Sequence, residues 1–183
     1  DILTTVISPS YAPPTASLSM GSSGGNVEIG TNLGTLTYAP TFTQNRGGAF
    51  SNIDYKKGGV TISSNNGSTP VTDVAGSLTS SISYLVTYTY AAGTTILKNN
   101  IGQDDVTNQV QAGTVNSNTI TFTPASYKYW GMSTNSSANI TDADIIAMVG
   151  GSKEWATSKL KSSFTITGPG GAGPVKYAFY AVP

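Results

Sequence analysis

The sequence contains no histidine and no cysteine, and only 10% of its 183 residues are charged, against about 25% in typical soluble domains. Without imidazole or thiol groups the chain has no histidine general base, no thiolate nucleophile, no Cys/His zinc site and no disulfide bond. These absences exclude hydrolases that use a Ser-His-Asp or Cys-His arrangement. We therefore expect a protein that is not an enzyme.

Charge of either sign is also scarce, with nine basic and nine acidic residues and a formal net charge of zero. The basic residues are scattered, so the chain lacks the positive face that binds a phosphate backbone and the polybasic segment that binds anionic lipid. No apolar run approaches the roughly 20 residues that a membrane helix needs. We expect no nucleic acid partner and no membrane insertion.

The polar residues are mostly uncharged: Ser, Thr, Asn and Gly together make up 83 of the 183 residues. Threonine favours strands, while serine, asparagine and glycine favour turns. The hydrophobic fraction of 38%, which includes ten tyrosines, is sufficient for a packed core, unlike that of a disordered Ser/Thr tract. The composition predicts an all-β protein.

Residues 81–90 give the clearest strand pattern, since alternate positions from Ile82 to Tyr90 are large and apolar or aromatic. The Asn66-Gly67 pair predicts a hairpin between a strand that ends at Ile62 and a segment that starts at Val71. Short strands at close spacing indicate a sandwich or barrel. Further strands are predicted at 26–29, 34–38, 59–62, 118–123, 164–167 and 175–182.

The pattern divides the chain into three parts. Residues 1–13, rich in proline near their end, read as an N-terminal arm or linker. Residues 14–124 are expected to form an immunoglobulin-like (Ig-like) β-sandwich, and residues 125–183 a small, mostly β terminal domain. That domain contains one predicted short helix, 141–149, with Thr141 as its N-cap and glycines after its end.

The acidic residues come close together in sequence only at Asp104-Asp105 and at Asp142 and Asp144. A turn with side-chain-to-backbone hydrogen bonds explains the first pair, and capping of the predicted helix explains the second. A calcium loop needs more ligands than either pair supplies, and glycoside hydrolysis needs two acids across a cleft. We expect no metal, no cofactor and no catalytic residue.

The tryptophans and tyrosines have two possible roles. In strands they usually fill the core or an interface, where their large rings are buried. Placed near turns, they could instead stack on a sugar or contact a receptor. Tyr11, Tyr55 and Trp155 lie near predicted turns and are the candidate glycan or receptor contacts.

Four short motifs follow one another along the chain: Lys98-Asn99-Asn100-Ile101-Gly102, Gln111-Ala112-Gly113, Ile120-Thr121-Phe122-Thr123 and Tyr127-Lys128-Tyr129-Trp130-Gly131. Together they resemble the Ig-like module of tailed-bacteriophage virion proteins. Motifs in the last 60 residues, including Thr141-Asp142-Ala143-Asp144-Ile145 and Tyr177-Ala178-Phe179-Tyr180, are similar to those of the family's terminal domain and follow the same order. The resemblance covers roughly residues 12–183, and its motifs are structural.

The resemblance implies a structural component of a phage virion, in a tail fibre, a tail tip or a head decoration. Such a protein would lie at the surface of the extracellular particle and act through contacts with other virion proteins and with copies of itself, with adhesion to a host-surface glycan or protein as a further role. Residues 1–13 could add a strand to a neighbour's sheet edge. The alternative is a carbohydrate-binding or adhesin module of a secreted or cell-surface protein.

Overall fold

The computed structural model describes residues 5–133, 153–155 and 177–181, and the side chains of residues 5–126. Every regular element in these ranges is a strand, which confirms the all-β prediction; no membrane-spanning helix is found among them. The predicted helix 141–149 and strand 164–167 lie outside the described residues. The strands are β1 (Thr15–Ser19), β2 (Gly25–Glu28), β3 (Thr35–Thr37), β4 (Ala39–Thr43), β5 (Phe50–Lys57), β6 (Val60–Asn65), β7 (Thr72–Val74), β8 (Ile82–Tyr90), β9 (Leu97–Lys98), β10 (Asp104–Asp105), β11 (Gly113–Asn116), β12 (Ile120–Ala125), β13 (Tyr127–Ser133), β14 (Lys153–Trp155) and β15 (Tyr177–Ala181).

The chain divides into two compact units. The first comprises Asp1–Asn26 and Thr31–Thr123, and the second comprises Val27–Gly30 and Pro124–Pro183. In the second unit β13 is the central strand of a small antiparallel sheet, with β14 on one side and β15 on the other. Strand β15 lies within the predicted strand 175–182.

The main sheet has the strand order β2-β12-β8-β5-β6, and β11 pairs with the second half of β8. Strand β8 is its centre: Tyr84 and Val86 are fully buried and Tyr88 is 2% exposed. Their common face is the one that the alternation in the sequence predicts. Ile120 and Phe122 on β12 are also buried, as their alternation predicts.

A second layer lies over this sheet, formed by the antiparallel pairs β1-β4 and β3-β7. The ring of Tyr38, between β3 and β4, packs edge to face with Tyr55 at 5.3 Å and with Tyr84 at 5.7 Å. Phe42 on β4 lies 5.0 Å from Tyr88. The first unit is therefore sandwich-like, with a core of aromatic rings.

An ion pair joins the two layers beside this core. Asp73 on β7 lies 2.8 Å from the Lys57 ammonium of β5 and accepts a hydrogen bond of 2.8 Å from the Tyr84 hydroxyl. Its side chain is only 14% exposed, so the charge is held by partners rather than by water. Burial, followed by the hydrogen bond to Asp73, raises the pKa of Tyr84 and keeps this hydroxyl protonated.

The prediction of a hairpin at Asn66-Gly67 is wrong, although Gly67 has the positive φ, 84°, that such a turn needs. Strand β6 instead forms a hairpin with the preceding strand, β5, through a turn at Gly58-Gly59. Both glycines have positive φ, as a tight two-residue hairpin turn requires. The chain after Gly67 enters β7, which pairs with β3 in the other layer. The Asn-Gly turn thus connects the two layers.

Candidate functional site

The N-terminal arm contacts its own chain through hydrogen bonds with the β9-β10 hairpin. The Asn100 side chain accepts a bond from the Ile7 amide at 2.7 Å and donates one to the Thr5 carbonyl at 2.9 Å. The Tyr11 hydroxyl donates to the Asp105 carbonyl at 2.6 Å and accepts from the Leu97 amide at 2.7 Å. The described part of the arm is therefore docked on its own hairpin rather than extended as a free strand.

Asp105 ties the arm to the turn that follows β10. Its carboxylate accepts bonds from the Thr107 and Asn108 amides at 3.1 and 3.3 Å and from the Asn108 side chain at 2.9 Å. The bond from the Asn108 side chain, then one from the Ser8 hydroxyl, lowers the pKa of this carboxyl. The turn predicted at Asp104-Asp105 itself is wrong, because both residues form β10; the side-chain-to-backbone bonds expected there are made by Asp105 to the turn that follows.

The arm and hairpin together expose an unusual share of apolar surface. We call residues 5–11 and 96–106 the arm–hairpin surface. Five of the nine exposed large hydrophobic side chains in the described part of the chain lie on it, and each is within one residue of the hydrogen bonds just described. Its exposed charges are Lys98 and Asp104, which pair at 2.6 Å. The five side chains are those of Val6, Ile7, Ile96, Ile101 and Val106.

A second concave feature opens onto the aromatic core. This aromatic cleft has a volume of about 510 Å³ and lies between β4, strands β5 and β8, and the loop of residues 67–70. Five rings line it, and none of the described residues around it carries a charge. The rings are those of Tyr38, Phe42, Phe50, Tyr55 and Tyr88.

The loop at the rim of the cleft is held by two asparagines. The Asn65 side chain accepts a bond from the Gly67 amide at 2.7 Å and donates one to the Thr69 carbonyl at 3.0 Å. Asn66 accepts from the Ser68 amide at 3.2 Å. These local bonds fix the backbone of the loop before any ligand is present.

The three predicted contact residues have different positions. Tyr55, expected to be exposed near a turn, is 2% exposed; that expectation is wrong because β5 continues to Lys57 and turns Tyr55 inward beside Ile53. Tyr11 is half-buried and its hydroxyl bridges the arm and the hairpin. Trp155 ends β14 opposite Tyr127, and its side chain lies outside the described residues.

The acidic side chains that the structure describes are engaged separately. Asp54 accepts hydrogen bonds from Ser64 and Asn52, at 2.6 and 2.8 Å, and the bond from Ser64 is the main cause that lowers its pKa. Asp73, Asp104 and Asp105 have the partners given above. Within residues 5–126 no group of three acidic side chains is placed to hold a metal ion.

Comparisons with protein-family models, with curated proteins and with solved structures return no match.

Proposed function

We propose that the protein is a non-catalytic structural component of a phage virion, a tail-fibre, tail-tip or head-decoration protein that acts through contacts between copies of itself and with other virion proteins. The sequence motifs that resemble those of phage proteins support the assignment to a virion. The arm–hairpin surface supports a function that depends on contacts between copies of the chain. The single observation that carries the proposal is the concentration of exposed apolar side chains on this surface.

The chemistry of the arm–hairpin surface suits a second copy of the chain. Large exposed apolar patches rimmed by polar groups mark interaction sites on soluble proteins. A two-fold contact places the same surface on both sides, so any excess of one charge would repel itself. The surface avoids this problem, since Lys98 and Asp104 are its exposed charges and each could pair with its opposite in the second copy.

The particle assignment is tested with antibodies raised against the folded chain. Immunogold electron microscopy of intact particles from the phage that encodes this sequence should label one repeated position on the tail or the head. A blot of the same particles after denaturation is the control for antibody reactivity. Absence of the chain from the denatured particles would contradict the proposal, as would labelling of host surfaces alone.

A further inference from the structure

We infer that the aromatic cleft of the first unit binds a neutral saccharide. This inference goes beyond the assembly role, and it rests on residues other than those of the arm–hairpin surface. The volume of about 510 Å³ falls in the range of about 300–1,000 Å³ typical of small-ligand sites. Aromatic walls and uncharged polar groups together define the class of ligand.

Tyr88 is the residue that points to a ligand. The residue is 2% exposed, and it lines the cleft. The hydroxyls of the other buried tyrosines each bond to the protein: Tyr38 donates to the Lys56 carbonyl, Tyr55 to Asn65 and Tyr84 to Asp73. The Tyr88 hydroxyl has no such partner among the described residues.

The position of that hydroxyl follows from a second observation. Among the described residues, no side-chain oxygen or nitrogen that is sealed from solvent lacks a hydrogen-bond partner. Within the described part of the chain the Tyr88 oxygen has no hydrogen-bond partner, and it is not among sealed atoms that lack one; we therefore place it at open space, and the open space that Tyr88 lines is the cleft. Burial, with a smaller contribution from Tyr55, raises the pKa of Tyr88 to about 12, so the hydroxyl keeps its proton and can both donate and accept.

The rim adds more hydroxyls of the same kind. Thr41, Ser68 and Thr69 line the cleft, and their side-chain hydroxyls make no hydrogen bond within the described part of the chain. Sugar hydroxyls also donate and accept, so they match such a set, and the apolar face of a pyranose packs against aromatic rings. The rings of the cleft open to such a contact are the half-buried Phe42 and Phe50. The uncharged lining disfavours phosphorylated and acidic ligands, because a charge moved into it would lose hydration without gaining a partner.

A proline-rich peptide is the main competitor, since aromatic grooves also bind polyproline helices. Such a peptide presents only backbone carbonyls as acceptors, so it would leave the acceptor capacity of these hydroxyls unused. The saccharide uses both capacities and is the ligand that the lining favours.

Amide NMR spectra of the ¹⁵N-labelled full chain test the inference. The probes are glucose, galactose, mannose and N-acetylglucosamine, oligosaccharides of each, and a hexaproline peptide. We expect one of the saccharides to cause saturable shifts of the Gly67, Ser68 and Thr69 amides. If no saccharide shifts these amides, or if only the peptide does, the inference is wrong.

Two variants and one control locate the binding. Tyr88→Phe removes one hydroxyl and should raise the Kd roughly 2- to 10-fold, the effect of one neutral hydrogen bond. Ser68→Trp fills the rim from an exposed loop position and should abolish binding. Tyr90→Phe, the same change two residues along β8 and outside the cleft lining, should leave the Kd unchanged. Wild-type affinity in both cleft variants would overturn the inference without affecting the proposed assembly role.

Discussion

Replacement of Tyr11 by phenylalanine should loosen the N-terminal arm without unfolding the sandwich. The change removes one oxygen and with it two hydrogen bonds, of 2.6 Å to the Asp105 carbonyl and of 2.7 Å from the Leu97 amide. At about 0.5–1.5 kcal/mol for each bond, the free energy of arm opening should fall by about 1 to 3 kcal/mol. The opening equilibrium then rises about 5- to 140-fold, at 1.4 kcal/mol for each factor of ten.

Amide hydrogen exchange measured by NMR reports this opening at single residues. In Tyr11→Phe the Leu97 amide should exchange about 5- to 140-fold faster, while the amides of Tyr84 and Val86 in the central strand keep their wild-type rates. Tyr90→Phe is the matched control and should leave Leu97 unchanged. Equal Leu97 exchange in wild type and Tyr11→Phe would refute the role of this hydroxyl in holding the arm.

Three further predictions concern the core, the pH response and backbone packing. Tyr84→Phe removes a hydrogen bond to the charged, part-buried Asp73 and should lower the free energy of unfolding, measured by urea titration, by about 1.5–3 kcal/mol. Tyr88→Phe should lower it by less than about 0.5 kcal/mol. Equal losses in the two variants would contradict the hydrogen-bond partners assigned to these hydroxyls. The Asn108 side chain, followed by the Ser8 hydroxyl of the arm, holds the pKa of Asp105 below its unfolded value of about 3.9. Only the Ser8 bond belongs to the arm, so through this bond docking should be strongest above that pH and weaken as the pH falls through the folded pKa. In wild type the chemical shift of the Ile7 amide should change with pH along this transition, and in Asp105→Asn it should not. A wild-type Ile7 shift that does not change with pH would show that the Asp105 carboxylate has no role in arm docking. Gly93→Ala brings a Cβ against the Arg46 carbonyl and should cost about 1–3 kcal/mol of stability; Gly113→Ala, which meets only the end of the Tyr90 side chain, should cost less, and the reverse order would show that Gly93 is not tightly packed.

The sequence was sufficient to predict the strands whose alternation is unbroken. Strand β8 is the clearest case, because it lies at the centre of the sheet and buries Tyr84, Val86 and Tyr88. In strand β5 the alternation of large apolar residues is limited to Ile53 and Tyr55. The polar residues around them and the lysines before Gly58-Gly59 resemble a turn, so the sequence alone predicts an exposed Tyr55.

The sequence pointed to one residue of each candidate site, Tyr11 of the arm–hairpin surface and Tyr55 of the cleft lining. The sites themselves could not be predicted, since both depend on contacts between residues far apart in sequence. The partners of the Tyr11 hydroxyl are 86 and 94 residues away. That the Tyr88 hydroxyl has no partner among the described residues becomes evident only when the hydroxyls of Tyr38, Tyr55 and Tyr84 have been paired with their own acceptors. The alternation in the sequence predicts which tyrosines face the core, but only the three-dimensional arrangement shows which acceptor each hydroxyl reaches.

Sedimentation velocity of the full chain over a range of concentrations tests whether copies associate through the arm–hairpin surface. Wild type should show a weight-average sedimentation coefficient that rises with concentration. The double variant Ile7→Ser, Ile101→Ser should remain monomeric over the same range. Val74→Ser, which changes a 73% exposed side chain outside this surface, should associate as wild type does. A wild-type protein that is monomeric at every concentration, or a double variant that associates like wild type, would contradict the claim.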